Sequence, residues 1–155
     1  MEYAGLIKII SGGQTGVDRA ALDAAIELGI EQGGFCPAGR IAEDGRISDN
    51  YLLTETESTD SAIRTEANVL TSDGTLLIYQ YQPLEGSILT RDLCRQHGKP
   101  LFELDIPGLD LLKCKQDFSR WLEDNCISIL NIAGNRESSR PVYKSAKDLL
   151  LTLLK

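Results

Sequence analysis

Two hydrophobic periods alternate along this chain. Leu6, Ile7, Ile9 and Ile10 crowd into the run Tyr3 to Ile10, which predicts a strand. A glycine-rich turn follows. Val17, Ala20, Ala21, Ala24 and Leu28 then recur at i, i+3, i+4, i+7 and i+11. That spacing puts one apolar stripe on a helix from about Gly16 to Leu28, with Gly29 as its natural C-cap. A short apolar segment ends at Cys36-Pro37, and residues 37 to 60 are polar and loop-like. Beyond them the pattern predicts helices over 61–70, Gly86 to His97, Lys113 to Asp124 and Pro141 to the C-terminus. It predicts strands at Gly74 to Tyr79, Pro100 to Leu104 and Ile127 to Ile132. Strands and helices alternate throughout, so the expected fold is α/β: a doubly wound, mainly parallel sheet with helices on both faces. Ligands of such sheets bind beyond the carboxyl ends of the strands. No repeat, linker or low-complexity run breaks the pattern, so residues 1–155 are expected to form one ligand-binding domain.

Composition narrows the partners. The chain of 155 residues carries a formal net charge of −7. An acidic protein is a poor partner for nucleic acid and for anionic membrane surfaces. No apolar run approaches the length of a membrane span, and the first residues do not read as a signal peptide, so a cytoplasmic location is expected. Cys36, Cys94, Cys114 and Cys126 form no C-x-x-C pair, and no zinc site or other metal site is expected from their spacing. The only histidine, His97, stands at a predicted helix end.

The polar motifs cluster where strands should end. In Ser11-Gly12-Gly13-Gln14-Thr15-Gly16 the glycines allow a tight turn and close approach to an anion, and the helix that follows offers unpaired N–H groups. The run matches neither a Walker A loop nor G-x-G-x-x-G. A phosphate-binding loop and a plain strand-to-helix turn both fit it. In Cys36 to Gly45, Arg40 could pair with an anion, and Glu43 and Asp44 could accept from hydroxyl or amino groups. Arg64 and Asn68 share one helix face, although a surface pair of Arg64 with Asp60 explains that arginine too. Ser87 opens a second helix, and Arg136 lies in a third glycine-bearing turn.

These motifs resemble a known family. The set S-G-G-Q-T-G-V-D-R-A-A-L-D (11–23), C-P-x-G-R-x-A-E-D-G (36–45), R-T-E-x-N-V (64–69), S-D-G-T-L (72–76) and A-G-x-R-E-S (133–138) is similar to the molybdenum-cofactor carrier family. That family looks like a Rossmann-like branch related to the lysine-decarboxylase-like phosphoribohydrolases. The resemblance implies a homo-oligomer that binds a molybdopterin-type molybdenum cofactor or a related small phosphate-bearing ligand. Carried over by position, the ligand residues would be Gly12, Gly13, Gln14, Thr15, Gly16, Arg19, Arg40, Asp44, Ser87, Thr90 and Arg136. Two departures stand out. Glu85 occupies a turn where the family often has glycine, and Asn135 stands where it often has proline. Against the phosphoribohydrolase signature P-G-G-x-G-T-x-x-E, Thr90 falls on the catalytic glutamate and supplies no carboxylate. A non-catalytic carrier is therefore the first expectation. A nucleotide-processing hydrolase with Glu43, Asp44 or Asp73 as its base, and a nucleotide sensor, stay open beside it.

Overall fold

The computed structural model describes residues 3–155. Nine strands and five helices run in the order β1 (Lys8–Ile10), α1 (Val17–Leu28), β2 (Glu31–Gly33), β3 (Phe35–Cys36), β4 (Ile41–Ala42), β5 (Gly45–Arg46), β6 (Thr54–Glu55), α2 (Ser61–Thr71), β7 (Gly74–Tyr79), α3 (Glu85–Gln96), β8 (Leu101–Asp105), α4 (Leu111–Asp124), β9 (Ile129–Gly134) and α5 (Tyr143–Leu153) among the described residues. The central sheet has the order β2-β1-β9-β7-β8, with every neighbouring pair parallel. The doubly wound α/β expectation therefore holds.

Side-chain alternation along the strands sorts the helices. Ile9, Leu76, Ile78, Leu130 and Ile132 point into one apolar cluster with Ala20, Ala21 and Ala24 of α1, Phe118 of α4 and Leu150 of α5. The alanines of the α1 stripe let that helix lie close to the sheet, and Gly29 ends it in the left-handed region at φ 71°. Phe102, Phe118 and Trp121 pack ring against ring at the far edge. On the opposite face, α2 and α3 meet through Val69, Leu93 and Cys94. The sheet residues alternating onto that side include Ile10 and Leu77 but also Thr75, Asn131 and Ala133, which are small or polar. This asymmetry makes one face a packed core and leaves room under α2 and α3.

Strand order is where the structure goes beyond the periodicity. β9, last in sequence, is inserted between β1 and β7. Counted from β9 as the first strand, the order becomes 3-2-1-4-5, the arrangement of a dinucleotide-binding half-sheet and its continuation. From β9 the chain crosses to α5 on the packed face, whereas from β7 it crosses to α3 on the other. The connections part at this point, so a crevice forms there at the carboxyl ends.

Gly134 closes β9 at the tightest point of this junction. A Cβ placed on it would lie 2.1 Å from the Ile78 carbonyl oxygen and 2.7 Å from Val17 Cβ. Both neighbours belong to regular elements and cannot move independently. Gly134→Ala is expected to cost about 3 kcal/mol, at the upper end of ordinary overpacking, read as a lowered urea midpoint with unchanged slope.

Residues 37 to 60 are more ordered than a loop. β3 pairs with β6 and β4 with β5. Cys36, Ala42 and Ile47 form a small core of their own, flanked by Tyr51 and Leu53. Arg40 holds the segment from inside, at φ 55° and 7% exposed. Its Nε donates to the Ile47 carbonyl, Nη1 to Leu53, and Nη2 to Ser48 and Tyr51.

Candidate functional site

A cavity of about 790 Å³ opens at the crevice between β9 and β7. Asn131 and Ala133 of β9 form its sheet side. Arg64 and Asn68 of α2 form one wall and the first turn of α3 another. Gly12, Gln14 and the turn after Gly134 border its mouth. The carboxyl ends of β1, β7 and β9 thus converge on one space, as the motif positions predict.

Arg64 is the dominant charge in it. The residue is 6% exposed. Its Nη1 donates to the Gly12 carbonyl at 2.8 Å and its Nε to the Thr65 hydroxyl at 3.2 Å. Nη2 has no partner among the described residues and is turned to the cavity. A surface pair with Asp60 is not what occurs, because Asp60 caps α2 by accepting from the Ala62 amide. Asp18 lies close by, and its Oδ2 accepts from the Gln14 amide at 3.3 Å. Burial pushes the Asp18 carboxyl above the usual carboxylate range, while the Arg64 charge pulls it down less strongly. A side chain at Gly12 would displace these groups: a Cβ would stand 2.7 Å from Arg64 Nη1 and 2.9 Å from Asp18 Oδ2.

The Ser11–Gly16 loop spends much of its donor capacity on the protein. The Gln14 amide goes to Asp18 and the Thr15 amide to the Gln14 side chain. The start of α1 lies under the β9–α5 turn, with the Val17 amide donating to the Asn135 carbonyl. α3 begins differently. No side chain caps it, and among the described residues the amides of Glu85, Gly86 and Ser87 have no acceptor. This open helix start borders the cavity. Asn135 holds it in place. Its Oδ1 accepts from the Leu84 amide and the Ser87 hydroxyl, and its Nδ2 donates to the Gln82 carbonyl. A proline at 135 would have none of these bonds. Thr90 is buried and its hydroxyl donates to the Gly86 carbonyl.

The residues singled out in the sequence separate into three groups. Gly12, Gln14, Ser87, Thr90 and Arg136 line this cavity. Thr15, Gly16, Arg19, Glu43 and Asp44 line a second one of about 660 Å³ on the α1 side. Gly13, Arg40 and Asp73 line neither. Gly13 is covered by Leu53 and Ile47. The Arg40 guanidinium is consumed by backbone carbonyls, so it is no anion partner of the cavity. Asp73 sits at the opposite end of the sheet and accepts from the Ser128 and Ile129 amides, so it is no base for this site. Arg64, Asp18, Asn131 and Asn135 also line the cavity, and the motifs do not single them out as ligand residues. A polar residue inside the apolar run Ile127 to Ile132 is the signal that Asn131 gives.

The second cavity is bordered by satisfied charges. Arg19 donates to both Asp44 oxygens, at 3.1 and 3.2 Å, and to the Gly13 carbonyl. Asp23 accepts from the hydroxyls of Tyr51 and Tyr143. Burial and that carboxylate push the Tyr143 phenol up to about 12. Glu43 accepts from the Ser138 amide at 3.1 Å, from the Ser138 hydroxyl at 2.6 Å and from the Thr15 hydroxyl. Burial alone would raise the Glu43 carboxyl; these bonds and the Arg136 charge outweigh it and hold it below its ordinary value. The bonds from Arg19 do the same for Asp44. Both groups are depressed by folding, so their contribution is complete above the ordinary carboxylate range and is lost as pH falls through their folded values. Amide exchange across Ile41–Arg46, corrected for intrinsic rates, is expected to be faster at pH 3 than at pH 6. Glu43→Gln should shrink that difference.

Comparison with known proteins fits this geometry. Residues 9–154 match the model of the circularly permutated YpsA SLOG family. The chain belongs to this family. A solved structure from Syntrophus aciditrophicus SB, described as "Putative molybdenum carrier protein" and determined at 1.45 Å, is 42% identical and superposes with a TM-score of 0.94. The match covers 100% of this chain and 98% of that one. No curated protein matches. The resemblance drawn from the motifs is therefore upheld at the level of family and fold.

Proposed function

We propose that this SLOG-family protein binds a small phosphate-bearing ligand in the cavity between β9 and β7, and that the ligand is a molybdopterin-type molybdenum cofactor which it carries without transforming. The observation that carries this reading is Arg64: a guanidinium 6% exposed whose one free nitrogen faces the cavity. Asp18 beside it is pushed by burial toward its neutral form and so offsets the buried cation only in part, which leaves a counter-charge for a ligand anion to supply. The phosphate rests between Arg64 and the open start of α3, whose three unpartnered amides add the positive end of a helix dipole. Arg136 stands at the mouth, half-exposed, and adds charge there. In this reading the anion sits nearer the α3 start than the Ser11–Gly16 loop, where the Gln14 and Thr15 amides are already bonded while those of Gly12, Gly13 and Gly16 have no acceptor among the described residues.

The residues suit the phosphate and ring of such a cofactor. The cavity volume lies within the range of sites for drug-sized ligands. Among the described residues no three His, Cys, Asp or Glu side chains come together in a way that could hold a metal ion. Molybdenum would therefore travel on the organic ligand. Carriage rather than hydrolysis is favoured by Thr90, whose hydroxyl is engaged with the Gly86 carbonyl at the position where the related hydrolases place a glutamate. The description of the Syntrophus protein as a molybdenum carrier supports the ligand class.

Native mass spectrometry of protein freshly purified from a cofactor-producing host tests this. The expected spectrum shows a bound species that releases a fluorescent pterin on denaturation, and that persists on incubation without conversion. A protein that emerges free of ligand and takes up neither pterin nor nucleotide phosphates contradicts the reading. Release of a free base from a nucleoside monophosphate would replace carrier with hydrolase.

A further inference from the structure

The sheet side of the cavity holds a polar group that the anion does not use. Asn131 is 2% exposed. Its Nδ2 donates to the hydroxyl oxygen of Thr75, on the neighbouring strand, at 3.1 Å. Thr75 is itself fully buried, so this bond fixes the amide. Asn131 Oδ1 accepts from no described residue, and it is turned to the cavity. It is the part of an otherwise buried amide that the cavity reaches, so a ligand that covered it without offering a donor would leave it costly to bury.

Its depth is informative. β9 ends at Gly134, and Asn131 lies three residues further in, paired with Ile10 of β1. At a rise of ~3.3 Å per residue, that is about 10 Å below the strand end. The α3 start and Arg136 sit at or beyond the strand end. A lone oxyanion held there cannot touch Asn131, whereas an anion joined to a ring can.

We infer that Asn131 Oδ1 accepts a hydrogen bond from a ring N–H of the ligand, so that the pocket selects heterocycle phosphates with a lactam or amino N–H over sugar phosphates and inorganic oxyanions. This rests on the anion lying at Arg64 and α3. Guanine and pterin rings share such a donor edge, and the probes separate the two sources. Asn131 is a specificity-determining residue in this assignment. Asp18 borders the same cavity but is already bonded to the loop, and the assignment does not need it.

Calorimetric titration of the full chain tests it with five probes: GMP, dihydroneopterin monophosphate, purine riboside 5′-monophosphate, ribose 5-phosphate and sodium molybdate. GMP or the pterin phosphate is expected to bind about ten-fold more tightly than purine riboside monophosphate, which lacks any ring N–H; one neutral hydrogen bond is worth that factor. This arm needs no variant. Asn131→Leu should erase the preference and leave ribose 5-phosphate affinity unchanged. Thr75→Val, which frees the amide to turn, should reduce it in part. Equal binding of all four phosphates, with Arg64→Met weakening each, overturns the Asn131 assignment and leaves the anion site standing. Molybdate binding as tightly as the best ring phosphate also overturns it. Failure of every phosphate to bind overturns both.

Discussion

Arg64→Met is expected to weaken phosphate-ligand binding by about 100-fold, the size associated with truncating one partner of a buried charge pair. The reasoning is geometric. The wild-type guanidinium is committed at Nη1 to the Gly12 carbonyl, which fixes the plane of the group and aims Nη2 into the cavity. The ligand therefore meets a charge whose conformational freedom was lost on folding, not on binding. Arg64→Lys should recover little. An ammonium on a flexible stem can serve the Gly12 carbonyl or the ligand, and lacks the planar fork that serves both. Gly12→Ala should act on the same group from the other side, since its Cβ would displace Nη1. Titration with GMP in each variant, with thermal melts as the control, checks this. Unchanged affinity in Arg64→Met would move the anion away from α2.

How much of this was written in the sequence differs between elements. The α1 stripe and the buried runs of β7 and β9 are local patterns, and each appears where its period places it, with ends shifted by no more than two residues. The position of β9 is not local. Alternation of strands and helices implies parallel pairing but is silent on order, and the insertion of β9 between β1 and β7 depends on contacts across most of the chain. The site divides likewise. The turns at 11–16, 86–90 and 133–138 could be assigned to one rim because parallel strands put all their carboxyl ends together. Which donors remain free could not. Gln14 and Thr15 look like an anion loop until Asp18 and the Gln14 side chain are seen to occupy their amides. Asn68, equally polar on paper, spends both ends of its amide on the backbone of Phe35. Arg64 and Arg40 are indistinguishable in one dimension, each an arginine in a conspicuous motif. Only the fold shows that one faces a cavity and the other a ring of carbonyls.

That contrast gives the largest stability prediction. Arg40→Met is expected to cost about 4 kcal/mol, a size reserved for losing a buried network. The side chain makes four bonds to the carbonyls of Ile47, Ser48, Tyr51 and Leu53. Each orphaned carbonyl that cannot reach water costs about 1–3 kcal/mol, and partial relaxation of the exposed stretch 48–52 returns some of it. Among the described residues the one carboxylate in ion-pair range of it, Asp49 at 3.7 Å, is largely exposed and contributes little. Arg40→Lys should lose most of the same stability, because one ammonium cannot span four acceptors in a plane. The positive φ of Arg40 adds a backbone cost that the network sustains, so removing the network lets the residue leave that conformation. The loss should be regional first: exchange protection and protease resistance should fall across residues 37–55 before the central sheet responds. Affinity for GMP, measured well below the melting transition, should change by less than about three-fold, within the error of a conformational effect on a distant wall. The reverse outcome, intact stability with lost affinity, would return Arg40 to the ligand and require the 37–55 segment to close over the cavity.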